Sequence, residues 1–77
     1  VRRTAGRLAR TALELGGKSP AIVADDIPLE KVLPTLVPGA TGFLGQVCVC
    51  LSRVLVSRKR YGEVVDALAA EYRKLKI

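Results

Sequence analysis

The sequence predicts an α/β chain, on three observations. Short apolar, β-branched segments at 20–24 and 52–57 have the length and composition of strands. Segments with a helical apolar period follow each of them, at 29–37 and 61–75. Glycine and proline clusters at 16–17 and 38–42 punctuate the alternation. The predicted order is helix end, strand, strand, helix, reactive turn, strand, helix, which is the pattern of a layered α/β arrangement.

Taken in order, Val1 to Arg10 reads as the end of a helix, with Val1, Ala5, Leu8 and Ala12 near one face. Arg2, Arg3, Arg7 and Arg10 then form its solvated surface. Thr11 to Leu15 reads as a short strand, in which Ala12 and Glu14 point away from Leu13 and Leu15. Gly16-Gly17 ends it and permits a close backbone approach. Ala21-Ile22-Val23-Ala24 forms the next strand. Asp26 is a suitable N-cap for the helix after it, with Pro28 in the first turn. Pro34 should bend that helix, and Pro38-Gly39 should interrupt it between about 38 and 42. Ser57-Arg58-Lys59-Arg60 reads as a polar connector. In the last helix Tyr61, Val64, Val65, Leu68, Ala69, Tyr72 and Leu75 share an apolar face, and Glu71 lies within reach of Lys74.

Seventy-seven residues allow one small domain at most, with a modest core. No apolar run approaches the roughly 20 residues that span a bilayer, and no leader pattern precedes the first strand. The expected compartment is the cytoplasm. Absence of an initial methionine and a helical pattern still running at Lys76-Ile77 mark the chain as a segment. The net charge of +6 raises the alternative of a small basic nucleic-acid-binding module. The basic residues are spread along the chain, however, and no aromatic residues interleave with them as base-stacking platforms would require.

Chemistry concentrates at Gly45-Gln46-Val47-Cys48, where a thiol sits between a glycine-containing turn and a strand. A thiolate is a strong nucleophile near neutral pH, but the chain has no histidine to activate it. Carboxylates are the remaining candidate bases, and Glu14 stands out within Leu13-Glu14-Leu15-Gly16-Gly17. By the residues alone, Glu14 reads more readily as a surface carboxylate on an edge strand or one paired with an arginine, and Cys48 and Cys50 as small buried hydrophobes. In an extended segment the two cysteines would point to opposite faces, which disfavours a disulfide. With two thiols and no histidine, a complete metal site is not available.

Leu13-Glu14-Leu15-Gly16-Gly17-Lys18-Ser19-Pro20 resembles the glutamate signature of the NAD(P)-dependent aldehyde dehydrogenase superfamily, and Gly45-Gln46-Val47-Cys48 resembles its cysteine signature. The two motifs stand in the expected order, 34 residues apart. Thr41-Gly42-Phe43-Leu44 departs from the family pattern, which commonly has larger aromatic residues and an asparagine before the Gly-Gln pair. The resemblance implies a fragment of an aldehyde-dehydrogenase-like fold, with residues 1–18 ending the dinucleotide-binding domain and 19–77 beginning the catalytic domain. It implies Cys48 as the nucleophile, Glu14 as the base, and Leu15 and Gly16 beside the nicotinamide of NAD or NADP. Cys50 stays a structural thiol and Arg53 a structural ion-pair partner. An aldehyde substrate and a homo-oligomeric parent follow from the same resemblance; the charge pattern and the absence of a long apolar run lead to the expectation of no nucleic-acid or membrane partner. A non-catalytic structural or interaction fragment is the alternative. The isolated chain is expected to fold weakly, its strands to pair with neighbours outside the segment, and its dehydrogenase activity to be nil. Glu14 and Cys48 are expected to open onto a common cavity.

Overall fold

The structure is a computed structural model, and it describes residues 1–76. Helix α1 spans Arg2–Ala5. Strand β1 spans Ser19–Val23 and helix α2 Leu29–Thr41. A 3-10 turn at Gly42–Gly45 leads through the cysteine segment to strand β2, Leu51–Val56. A second 3-10 turn, Arg58–Arg60, opens helix α3, Tyr61–Tyr72.

β1 and β2 pair with each other in parallel, Ala21 opposite Val54 and Val23 opposite Val56, with a register shift between Ser19 and Pro20. The expectation that both strands would lack partners within the chain is therefore corrected. Parallel neighbours need a crossover, and α2 supplies it. Alternation sorts the side chains of the two strands by face. Ala21, Val23, Val54 and Val56 pack toward the helices, while Pro20, Ile22, Arg53 and Leu55 are exposed on the other side. The core is Val23, Leu29, Leu36 and Val64, with Val32, Leu33, Leu51, Ala67 and Leu68 packed around it. Arg53 faces solvent and joins no ion pair among the described residues, so its expected structural pairing is not found.

Helix α2 runs unbroken through both prolines and stops at Thr41, at the late end of the interruption expected between about 38 and 42, so Pro38 itself is not the break. Its burial explains this: Leu29, Leu36 and Val37 are buried on either side of Pro34, and packing outweighs the two missing donors. The C-cap of the helix is Gly42, and its N-cap is Pro28 with no side-chain cap, not Asp26. Gly39 is placed where a Cβ would meet Leu51 Cδ1 at 2.7 Å, so glycine lets α2 lie close against β2. In α3 only part of the expected face turns inward. Val64, Ala67 and Leu68 reach the core, whereas Tyr61, Val65, Tyr72 and Leu75 stay exposed, and the helix ends at Tyr72. The Glu71–Lys74 pair forms as its spacing predicts.

The N-terminal third differs most. The first helix is one turn long, and residues 11–15 form no strand. Residues 6–18 are exposed throughout. Apolar side chains here meet no second layer, so nothing offsets the entropy of ordering a strand. The radius of gyration, 17.8 Å with a longest extent of 55 Å, exceeds the about 11 Å of a compact chain of this length accordingly.

Arg60 holds the compact part together. It is 8% exposed. Its Nη1 donates to the carbonyls of Ala24 and Ile27, both at 2.8 Å, and to Asp25 O at 3.4 Å. Its Nε and Nη2 donate to the two carboxylate oxygens of Glu63 at 3.3 and 3.2 Å. The Glu63 carboxylate raises the guanidinium pKa further above its ordinary value. Next to it, Lys59 Nζ lies 2.8 Å from Asp25 Oδ2 and holds the Asp25 carboxyl below its usual pKa of 3.8. The polar connector is thus, through Arg60 and Lys59, also a joint between β1, α2 and α3.

Arg60→Ala removes the side-chain donor that the carbonyls of Ala24 and Ile27 share and leaves Glu63 unpaired, and is expected to lower the urea midpoint clearly, while Arg58→Ala leaves it unchanged. The Asp25 carboxylate stabilises the fold above its ordinary pKa, and that contribution is lost as pH falls through the lowered, folded-state value, below 3.8. Acid titration of Asp25→Asn should therefore lack the part of the stability decline that the parent shows below that pH.

Candidate active site

Two glycines shape the approach of the first motif to the second. Gly16 adopts φ +78°, in the left-handed region where only glycine is unstrained. Gly17 then passes directly against the cysteine turn. A Cβ at position 17 would stand 2.2 Å from the carbonyl oxygen of Cys48 and 3.3 Å from its carbon. No side chain fits there. The double glycine is therefore what allows the carboxylate-bearing segment and the thiol-bearing turn to touch through their backbones.

The cysteine turn itself is closed by the Cys50 N–H donating to Val47 O at 3.0 Å. Cys48 lies within this turn, so the extended geometry expected for Cys48 and Cys50 is not observed; both thiols are free, Cys48 exposed and Cys50 half-buried. Cys50 Sγ lies 3.5 Å from the Gly42 carbonyl, a weak thiol hydrogen bond that ties the turn to the end of α2. The Cys48 N–H donates to no backbone acceptor among the described residues.

Before the turn, the chain reverses through an unusual left-handed stretch. Phe43 (φ 50°, ψ 37°) and Leu44 (φ 59°, ψ 26°) precede Gly45 at φ +74°. Each non-glycine residue in this region costs about 1–2 kcal/mol. Their side chains gain no burial in return, being 84% and 80% exposed. This is the stretch, Thr41-Gly42-Phe43-Leu44, whose sequence departs from the family pattern. Sequence reasoning registered the departure but missed the conformation, because neither residue type advertises a positive φ.

Glu14 is exposed and makes no ion pair or hydrogen bond among the described residues. Leu15 is 89% exposed. The hollows beside α2 and α3, lined by Ala40, Leu44 and Leu75, by Leu33 and Val37, and by Val56 and Tyr61, include neither Glu14 nor Cys48. Backbone proximity through Gly17 is thus the observed link between the two motifs. No group of three or more His, Cys, Asp or Glu residues among the described residues is placed to hold a metal.

Comparison with known proteins places this arrangement in a class. The model of the aldehyde dehydrogenase family matches residues 1–77, and the chain belongs to that family. It is 38% identical to the 2-aminomuconic semialdehyde dehydrogenase of Mus musculus over 68 residues, covering 88% of this chain and 14% of that protein. Among solved structures it superposes with TM-score 0.82 on the NAD+ complex of an aldehyde dehydrogenase from Bacillus cereus, at 41% identity, over 97% of this chain and 15% of that one. It also superposes, with TM-score 0.83 and 36% identity, on the succinate-semialdehyde dehydrogenase from Burkholderia pseudomallei, over 99% of this chain and 16% of that one. The chain therefore spans about a seventh of the length of these relatives. The α/β fragment expected from the sequence is the fold found.

Gly17→Ala is expected to push the Cys48 turn away from the glycine segment. Its stability should fall by about 1–3 kcal/mol, the cost of forcing extra volume into a filled contact. Amide shifts in a heteronuclear NMR spectrum should change at 46–50 as well as at 16–18; changes confined to 16–18 would contradict the contact.

Proposed function

We propose that this chain carries the nucleophile and the base of an NAD(P)-dependent aldehyde oxidation performed by a longer protein. One observation supports the reading above others. In a member of this family, Gly17 brings the Glu14 segment against the backbone of Cys48.

The chemistry that follows is covalent. The Cys48 thiolate attacks the aldehyde carbon, forming a C–S bond and a thiohemiacetal oxyanion. The free N–H of Cys48 donates to that oxygen, and a second donor comes from outside this chain. NAD or NADP, when bound, would supply the hydride acceptor, and loss of hydride from the Cys48-bound carbon would leave a thioester on Cys48. Glu14 then removes a proton from water, which attacks the thioester carbonyl; the C–S bond breaks, the carboxylic acid departs and the thiolate returns. Glu14 is also the base that prepares the thiol. The cofactor's place is along Leu15 and Gly16. That backbone is accessible, since Leu15 is exposed and a Cβ at Gly16 would meet nothing within 4 Å. It suits the approach of a flat ring. The phosphate and ribose ends would be held elsewhere, because this chain has no glycine-rich phosphate loop.

On this reading residues 1–18 close the dinucleotide-binding domain and residues 19–77 open the catalytic domain, with β1 beginning at Ser19. The whole protein is a homo-oligomer of the cytoplasm acting on an aldehyde. No helix among the described residues is long and apolar enough to cross a membrane.

Assayed in the intact protein, Cys48→Ala should abolish NAD(P)-dependent aldehyde oxidation, and Cys50→Ala should retain it. Glu14→Gln should still form the thioester and stall there, which mass spectrometry detects as an acyl adduct on Cys48. Activity surviving in Cys48→Ala but lost in Cys50→Ala would transfer the role to the other thiol.

A further inference from the structure

The arm that precedes β1 carries the largest group of unpaired like charges among the described residues. Arg2, Arg3, Arg7 and Arg10 lie within nine residues, with no acidic residue between them. All four are exposed, and none joins an ion pair among the described residues. Elsewhere the basic residues that crowd together are partly neutralised: Lys59 by Asp25, Arg60 by Glu63 and Lys74 by Glu71. Arg2 and Arg3 sit on the single turn of α1, whereas Arg7 and Arg10 follow on a turn and an irregular stretch. Four cations this close repel one another and the remainder of a chain of net charge +6. Negative charge outside the chain relieves that repulsion.

We propose that this arm docks on the surface of an anionic phospholipid bilayer. Each arginine brought near such a surface gains from its negative potential, and the four gains add when the arm lies along it. The irregular spacing of the cations favours this partner. Lipid headgroups move laterally and gather beneath cations wherever they fall, whereas a folded protein presents its carboxylates at fixed positions and a duplex its phosphates at a fixed repeat. Single-stranded nucleic acid is a poorer match, because no aromatic side chain lies between Arg2 and Arg10 to stack on its bases. The expectation of no membrane partner rested in part on the lack of a long apolar run, and an arm held at the surface by charge needs none. The inference stands independently of the catalytic reading.

The experiment sediments the intact protein with phosphatidylcholine vesicles, with and without phosphatidylserine. Binding to the phosphatidylserine vesicles should be at least about tenfold tighter, and added salt should weaken it. Replacing Arg2, Arg3, Arg7 and Arg10 together by glutamine should reduce that binding about tenfold or more. The matched control replaces Arg53, Arg58, Arg73 and Lys76 by glutamine, four basic residues outside the arm that join no ion pair among the described residues; it should cost less than about threefold. A variant with lysine at the four arm positions keeps the charge and should bind within about threefold of the parent. Circular dichroism of the arm variants should match the parent, so a loss of binding is not a loss of fold. A photoactivatable phosphatidylserine should leave its adducts within residues 2–10. No preference for phosphatidylserine, equal losses in the two glutamine variants, adducts outside the arm, or an RNA oligonucleotide that outcompetes the vesicles overturns the proposal.

Discussion

A single buried cation organises the folded part of this chain. Arg60 is the charged residue among the buried positions, and its guanidinium reaches the carbonyls that end β1 and precede α2 while gripping Glu63 in the first turn of α3. A buried arginine is costly unless its donors are matched, and here both sides of the fork have acceptors. The contact spans more than thirty residues of sequence. It fixes where α3 starts relative to the βαβ layer, and so which of its side chains meet the core. Val64, one turn beyond Arg60, is the most deeply buried residue of the core.

From that anchor the structure leads to the thiol by a series of close backbone approaches. Gly39 lets α2 sit on Leu51. Helix α2 then ends at Gly42, and the chain turns back through Phe43 and Leu44 in left-handed conformations before Cys48. Two such residues in succession persist only where their surroundings over-determine them. The constraints are visible: the end of α2 on one side, Cys50 bonded to the Gly42 carbonyl on the other, and Gly17 against Cys48 from across the chain. Cys48 thus lies in a turn closed by the Cys50 N–H on the Val47 carbonyl and tied to both α2 and the Gly17 segment.

The exposed apolar surface has a complementary logic. A parallel sheet is ordinarily covered on both faces. Here the face bearing Ile22 and Leu55 is open, as are Leu8, Leu13 and Leu15 on the N-terminal arm. These side chains match the extent of the relatives, which are about seven times longer. The arm lacks a strand because strand propensity does not act alone. Thr11 to Leu15 has the alternation of one, but no neighbouring edge and no second layer.

Much was legible in the residues themselves. Helical period located α2 and α3, β-branched runs located β1 and β2 within a residue or two, and the paired glutamate and cysteine motifs identified the family. These are local properties, set by side-chain spacing and by residue types that chemistry requires at given positions. Tertiary structure decided what depends on distant partners. Burial of Leu36 and Val37 kept α2 intact through Pro38, where local rules placed a break. Arg60, in a run that reads as a polar connector, became the central joint because carbonyls more than thirty residues away face it. The close backbone approach expected at Gly16-Gly17 was found at Gly17, but its partner, the Cys48 carbonyl, was set only by the folded chain. Spacing along a chain determines which face a residue takes; what stands opposite that face is settled only when the chain has folded.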